Sequence, residues 1–492
     1  MTIHKLVRET PPIVSAAETT QEQETIQEQK SSDPTSTPSG DVRGMGGRDL
    51  FLNGPILKTL LKLALPTVTV LAAQAAVNIA EAYYVGFLGT DALAGAALVF
   101  PAFMLMIMMS NGGLGSGVAS TVARAIGAGR LTDADDALFH AVLLAIFVGT
   151  LFMIGLIIGG PALYRALGGQ GRALDAAVTY SNYLFAASIP VWIVNLQSAA
   201  LRGAGNVKVP ALITLVGAIV TIPLSPLLIF GFGPLPRLGI AGAGLAFGLY
   251  YGAAMLFLLI YMISGRAGMT FRAVRLRGDL FYDILKVGVP TSLNALLTNL
   301  TVICVTGAVG LFGTAAIAGY GIAARLDYIM IPLLFGISAA TLTMVGTNMG
   351  ASQAARARKI AWTGGIVGSV LAGTIGLAVA VFPAIWMTTF SSDPVVVGEG
   401  TTYLRIVAPA YCALGFGFVA SFAAQGAGRA TGPLFASFAK TAIAAGGSWI
   451  AVAYFGASMV LLAAMVSVSL IVNAAICVLI LLSRATWRSP SC

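Results

Sequence analysis

The stretch Leu61-Lys62-Leu63-Ala64-Leu65-Pro66 returns as Leu285-Lys286-Val287-Gly288-Val289-Pro290, 224 positions further along the chain. At the same offset Gly86-Phe87-Leu88-Gly89-Thr90 matches Gly310-Leu311-Phe312-Gly313-Thr314. Gly127-Ala128 matches Gly350-Ala351 at an offset of 223, and so do Gly203-Ala204-Gly205 with Gly426-Ala427-Gly428, and Pro210 with Pro433. One offset held over so much of the chain reads as a duplication.

What is duplicated is set by composition. The chain has 492 residues, 57% hydrophobic and 10% charged, with a mean hydropathy of +0.88. Soluble domains carry about 25% charged residues, so a soluble fold is excluded. Apolar stretches occur at about 60–86, 94–121, 138–160, 178–200, 209–231, 239–263, 284–311, 316–346, 361–387, 400–424, 434–455 and 457–483. A helix of about 20 residues crosses the hydrocarbon core, and continuous apolar runs exclude barrel strands, which alternate. The expectation is an all-α membrane protein of twelve transmembrane helices in two pseudo-symmetric six-helix lobes. An even number of spans per repeat orients both halves alike, about an axis along the membrane normal. Secondary transporters use parallel repeats of this kind, with the substrate site between them.

The expected organisation is a disordered cytoplasmic tail at 1–54, an N-lobe at 55–264, an inter-lobe loop at 265–283, a C-lobe at 284–484 and a short tail at 485–492. The tail reading follows from its Ser, Thr, Gln, Glu and Pro content, which cannot offset ordering entropy. Expected loop cations include Arg124, Arg130, Arg202, Lys208, Arg266, Arg272, Arg275, Arg277, Lys286, Arg356, Arg358, Lys359, Arg429 and Lys440 on one side, against Arg165, Arg172 and Arg237 on the other. By the positive-inside rule both termini are cytoplasmic. The basic residues are scattered, so the net charge of +9 does not point to nucleic acid. Four cysteines without a CxxC pair, and two histidines, support no metal centre.

The order Lys62-xxx-Pro66, Glu81-xxxx-Gly86-xx-Gly89, Ala125-xx-Ala128, Arg202-Gly203-x-Gly205, then Ala324-Arg325-Leu326-Asp327, Val345-Gly346-xx-Met349-Gly350-Ala351 and Gln425-Gly426-x-Gly428, resembles the multidrug and toxic compound extrusion (MATE) transporters over about residues 55–484. The resemblance implies a V of two lobes around a cavity that opens alternately to either side. It also implies export of organic cations in exchange for protons or sodium. Members usually carry aspartate five residues before the glycine, where this chain has Glu81.

Glu81 and Asp327 are the two acids well inside apolar segments. Intramembrane carboxylates are costly and default to function. Apolar surroundings disfavour the charged form, so Glu81, read as midway through span one, can carry a proton or pair with a cationic cargo. Asn78 and Tyr84 lie within one turn of it on the same face and are its expected partners. Asp327 and Arg325, two apart, do not face each other on a helix, so each needs a partner from another element. Both are candidate substrate or ion contacts, as are Asn294 and Asn299 in span seven. That span has no acid, which favours protons over sodium as the coupling ion. Pro66 and Pro290 are candidate hinges, a static kink being the alternative. The run Met104, Met106, Met108 and Met109 reads as core or lipid-facing, and Gly112-Gly113-Leu114-Gly115-Ser116-Gly117 as close packing.

The expected function is therefore a proton-coupled antiporter of organic, cationic or amphiphilic small molecules. It is expected to be a monomer in the inner membrane, with lipid around it, no cofactor and no enzymatic activity. A sodium-coupled exporter is one alternative. A lipid-linked oligosaccharide flippase is another; it would need more membrane cations than Arg325 and Arg405.

Overall fold

The structure, a computed structural model, describes residues 45–231 and 236–488, apart from the side chains of residues 45–47, 71, 72, 75, 76, 78, 82 and 328. Among the described residues the chain is helical, without strands. The N-lobe is built from α2 (Ile56–Gly86), α3 (Thr90–Met108), α4 (Gly115–Gly127), α5 (Leu131–Ala166), α6 (Gly171–Ala186), α7 (Ser188–Gly203), α8 (Lys208–Phe230) and α9 (Ile240–Ile263), preceded by a short α1 (Met45–Asn53). The C-lobe repeats the plan with α10 (Gly278–Gly310), α11 (Thr314–Gly350), α12 (Ala354–Val381), α13 (Pro383–Thr388), α14 (Pro394–Val407), α15 (Tyr411–Gly426), α16 (Thr431–Thr441), α17 (Ser448–Phe455) and α18 (Met459–Leu482).

The twelve expected spans are all helical, but several are not single rods. Among the described residues ten helices are long and apolar enough to cross a membrane, and α6 with α7, bent by 48°, makes an eleventh if the pair is one span. The 31-residue α2 is the remaining long rod, about 46 Å from end to end. Span two continues from α3 into α4 through a π-helical turn, Met109–Leu114. Span ten passes through a 3₁₀ turn at Ala408–Ala410 and span eleven through a π turn at Ala442–Gly447. Large apolar side chains such as Phe147, Ile158, Ile260, Ile303 and Leu479 are exposed, as a lipid-facing belt requires.

The repeat reaches the backbone. Gly89 and Gly313 precede α3 and α11, both at φ 102° and with ψ of 173° and 178°, a region closed to residues with a Cβ. The positive φ of Gly129 recurs at Ser352, and that of Gly205 at Gly428. Thr67 and Thr291 follow the two repeated prolines, and both hydroxyls hydrogen-bond the carbonyl four residues back. The helices run unbroken through Pro66 and Pro290.

The lobes meet where small residues let backbones approach. Every residue of α4 is buried. A Cβ on Gly117 would lie 2.9 Å from the Gly288 nitrogen of α10, and one on Gly113 would lie 3.1 Å from the Ser292 Cα. The glycine-rich run is thus the lobe–lobe contact itself. Met106 is fully buried in the N-lobe core.

Three expectations are corrected. The tail was expected to be disordered to residue 54, yet Met45–Asn53 is helical, because Phe51 finds a buried seat (4% exposed) against Gly205. The inter-lobe loop, expected to reach residue 283, ends at Arg277, since the first turns of α10 occupy its last part. Of the expected loop cations, Arg124, Arg165, Arg172, Arg202, Lys208, Lys286, Arg356, Arg358, Lys359 and Lys440 lie within helices. For Arg124 and Arg202, Ser120 and Asn111 supply partners that the charge pattern did not reveal. The rest of the expected tail, residues 1–44, lies outside the described residues.

Candidate functional site

Glu81 lies five residues before the end of α2, not midway, with 25 residues of the helix before it. It is partly buried, and its Oε1 accepts a hydrogen bond from the Tyr180 hydroxyl of α6 at 2.8 Å. The partner is thus Tyr180, 99 positions away, and not the neighbouring Tyr84. Tyr84 nevertheless lines the same small cavity, with Thr221 and Ser225 of α8 and Phe247 of α9. The hydroxyls of Thr221 and Ser225 are buried without a hydrogen-bond partner. The Asn78 side chain lies outside the described residues.

A second, somewhat larger N-lobe cavity lies further along the same helices, lined by Gln74, Asn111, Asn195, Ser198, Arg202 and Tyr251 among others. The Arg202 guanidinium donates to Asn111 Oδ1 at 2.6 Å, and the Asn195 amide donates to Ser110 at 2.7 Å.

In the C-lobe, Asp327 Oδ1 accepts from the Tyr411 hydroxyl at 2.8 Å. The Tyr320 and Tyr403 rings meet edge to face, 5.1 Å between centroids. Arg325 does not join Asp327; its side chain stacks over Phe390, 5.1 Å from the ring centroid. Each has therefore taken a partner from another element, as helix geometry required. In α10 the Asn294 side-chain oxygen Oδ1 is buried without a partner. Asn299 donates to its own helix at Ala295 and reaches Met108 Sδ across the lobes at 3.3 Å. The structure brings Glu81 together with Tyr84, and Asp327 with Tyr411; it does not bring the span-seven asparagines to either acid.

Tyr180, Tyr411, Thr221 and Ser225 were not singled out from sequence, and Arg202 was read as a loop cation and not as a cavity residue. One signal was available: Tyr180 recurs as Tyr403 at the repeat offset of 223. The helix supplying the acid, however, differs between lobes, so pairing was invisible.

The seam closes one end of the molecule. Arg124 donates to Ser120 Oγ at 2.5 Å and to Thr121 Oγ1 at 3.3 Å, and lies 3.8 Å from Asp283 of the other lobe. Ser120 in turn donates to the Gln425 carbonyl at 2.5 Å. The strap α1 bridges both lobes. Arg48 donates to the Gly127 carbonyl at 3.0 Å, while the Phe51 carbonyl accepts from Asn348 at 3.1 Å and from Arg356 at 3.4 Å. Arg356 also reaches the Gly54 carbonyl. The inter-lobe linker is tied to α5 by Arg277, which pairs with Asp133 at 2.7 Å, Asp136 at 3.3 Å and Asp279 at 2.6 Å. Its hydrogen bonds to the Asp279 and Asp133 carboxylates hold the Arg277 guanidinium above its ordinary value.

Comparison with known proteins agrees with this architecture. The chain is 28% identical over 376 residues to the FAD transporter of Shewanella oneidensis, covering 75% of this chain and 82% of that one. It is 26% identical over 388 residues to the probable multidrug resistance protein NorM of Thermotoga maritima, covering 78% and 82%. It is 23% identical over 439 residues to the multidrug export protein MepA of Staphylococcus aureus, covering 88% and 95%. Among solved structures, a MOP superfamily transporter from Pyrococcus furiosus superposes with a TM-score of 0.80 at 24% identity, over 87% of this chain and 96% of that one. An outward-facing multidrug resistance MATE family transporter gives 0.77 at 24% identity, over 87% and 95%. The MatE family profile matches residues 66–227 and 290–450, one match in each half of the repeat, and the chain belongs to the MatE family of multi-pass membrane transporters and is not an enzyme.

Proposed function

We propose that this chain is a secondary antiporter that exports organic small molecules bearing a positive charge, in exchange for protons, by alternating access. The observation that carries the reading is Glu81: a carboxylate inside the N-lobe, held by one tyrosine hydroxyl and facing a cavity. Protonated, it is neutral and releases a cationic cargo; charged, it binds one. The two states exclude each other, which couples proton entry to cargo exit. One charge moving through 100 mV supplies about 2.3 kcal/mol, enough for a gradient of roughly 40-fold. With both termini inside the cell, the seam at Gly127 and Gly350 closes the cytoplasmic side. The names of the relatives, multidrug export proteins and an FAD transporter, support a small-molecule cargo.

Sodium coupling is the second reading. The unpartnered hydroxyls of Thr221 and Ser225 beside Glu81 make an oxygen-only set, the type that hard cations take. Proteoliposomes loaded with a fluorescent organic cation separate the two. A proton gradient that drives efflux from wild type but not from Glu81→Gln supports proton antiport. Efflux that responds to sodium alone replaces it with the second reading, and no efflux under either gradient rejects both.

A further inference from the structure

The two N-lobe cavities lie in series and differ in charge. Gln74 and Glu81 are seven residues apart on α2, as are Thr214 and Thr221 on α8, which separates the cavities by about 10 Å along the helices. One holds a carboxylate. The other holds Arg202, and none of the residues lining it is acidic.

Arg202 differs from its neighbour in the seam. Arg124 has Asp283 at 3.8 Å. Among the described residues Arg202 has no carboxylate within 4 Å, and its guanidinium is met by the Asn111 amide oxygen alone. A guanidinium offers five N–H donors in a planar fork, suited to two oxygens of a carboxylate or phosphate. A cation partly withdrawn from water without a counter-charge is unfavourable, and an anion entering this cavity relieves that. The Gln74 amide and the Ser198 hydroxyl on the same wall supply further donors.

We infer that the Arg202 cavity receives an anionic group of the cargo, a carboxylate or phosphate, so that the exported molecule is zwitterionic, with its cationic end at Glu81. This assignment rests on the export reading for the cationic end, but the anion site stands on Arg202 alone and is tested without any gradient.

The probes are rhodamine B, which has a free carboxylate, and its ethyl ester, which lacks it. Their affinities are measured by fluorescence anisotropy on the purified full-length chain in phosphatidylcholine nanodiscs. Wild type is expected to bind rhodamine B about tenfold more tightly than the ester, equivalent to ~1.4 kcal/mol. Arg202→Gln is expected to abolish the preference while leaving the ester's affinity unchanged. Arg202→Lys, which keeps the charge, is expected to retain part of it; the ester serves as the folding control for both. Equal affinities in wild type, or a preference that survives Arg202→Gln, overturns the proposal. So does loss of the preference when phosphatidylglycerol is included, since the site would then hold a lipid headgroup. Inorganic phosphate is expected to displace rhodamine B and not the ester; displacement of both, or of neither, overturns it. A preserved preference in a protein that no gradient drives would sink the antiport reading and leave the anion site standing.

Discussion

Gly127 and Gly350 make the same contact in opposite directions across the seam. A Cβ on Gly127 would lie 2.9 Å from the Thr347 Cα, and one on Gly350 would lie 2.8 Å from the Arg124 carbonyl carbon. Arg124 and Thr347 are themselves related by the repeat offset. Within the lobes, Gly203 against Ala119 in one and Gly426 against Leu342 in the other are also matched by the repeat. The pseudo-two-fold axis therefore runs through this closed end.

Gly127→Ala and Gly350→Ala are each expected to destabilise the closed seam by about 1–3 kcal/mol, the cost of overpacking. Spin labels at the exposed Arg130 and Ser352 should report a longer distance distribution in both variants. An unchanged distribution would mean that the seam accommodates a methyl group.

Opening this end requires α1 to let go of at least one lobe, since Phe51 packs on Gly205 while its carbonyl is held by Asn348 and Arg356. Phe51→Ala should shift the same label pair toward longer distances. Thermal unfolding should fall by the few kcal/mol typical of a buried Phe→Ala. A variant with normal stability and normal distances would remove the strap from the mechanism.

Tyr180→Phe deletes the donor to Glu81 and leaves a partly buried carboxylate short of its partner, a loss of about 1–3 kcal/mol. Coupled efflux is expected to fall about tenfold or more, with Glu81→Asp falling less than Glu81→Gln. Glu81→Gln should also flatten the dependence of efflux on pH. Wild-type efflux from Tyr180→Phe would show that the hydrogen bond is dispensable.

Asp327→Asn keeps an oxygen for the Tyr411 hydroxyl, whereas Asp327→Ala orphans it. Calorimetry is expected to find Asn near wild type and Ala lower by about 1–3 kcal/mol. Both should lower efflux if Asp327 contacts cargo or ion, while efflux unaffected by Asn would leave it a structural acid.

The Arg277 latch is expected to be insensitive to pH across the neutral range. A basic group whose value is raised on folding contributes fully below its unfolded value and loses that contribution only as pH rises through the folded one. Both lie far above neutrality for an arginine raised by Asp279 and Asp133. Its side chain is 37% exposed, so its worth in stability is small. The readout is hydrogen exchange in residues 264–277: faster in Arg277→Gln, and unresponsive to modest pH change in wild type after correction for intrinsic rates.

Sequence alone determined the class, the duplication and its orientation, because those depend on hydropathy, length and spacing, which a linear pattern records. Glu81 and Asp327 were also legible, since a carboxylate in an apolar run stands out wherever the helix goes. Tertiary structure decided what each acid touches. Tyr180 and Tyr411 reach them from helices 99 and 84 positions away, and no local period encodes a contact between separate rods. It also decided the fate of the arginines. Arg124 and Arg202 read as loop charges because they end apolar runs. The helices continue past those runs, and packing against the facing lobe and against Asn111 carries both cations inside. Charge counts place a residue along the chain, but only the docking of helices decides whether it meets water, lipid or a partner.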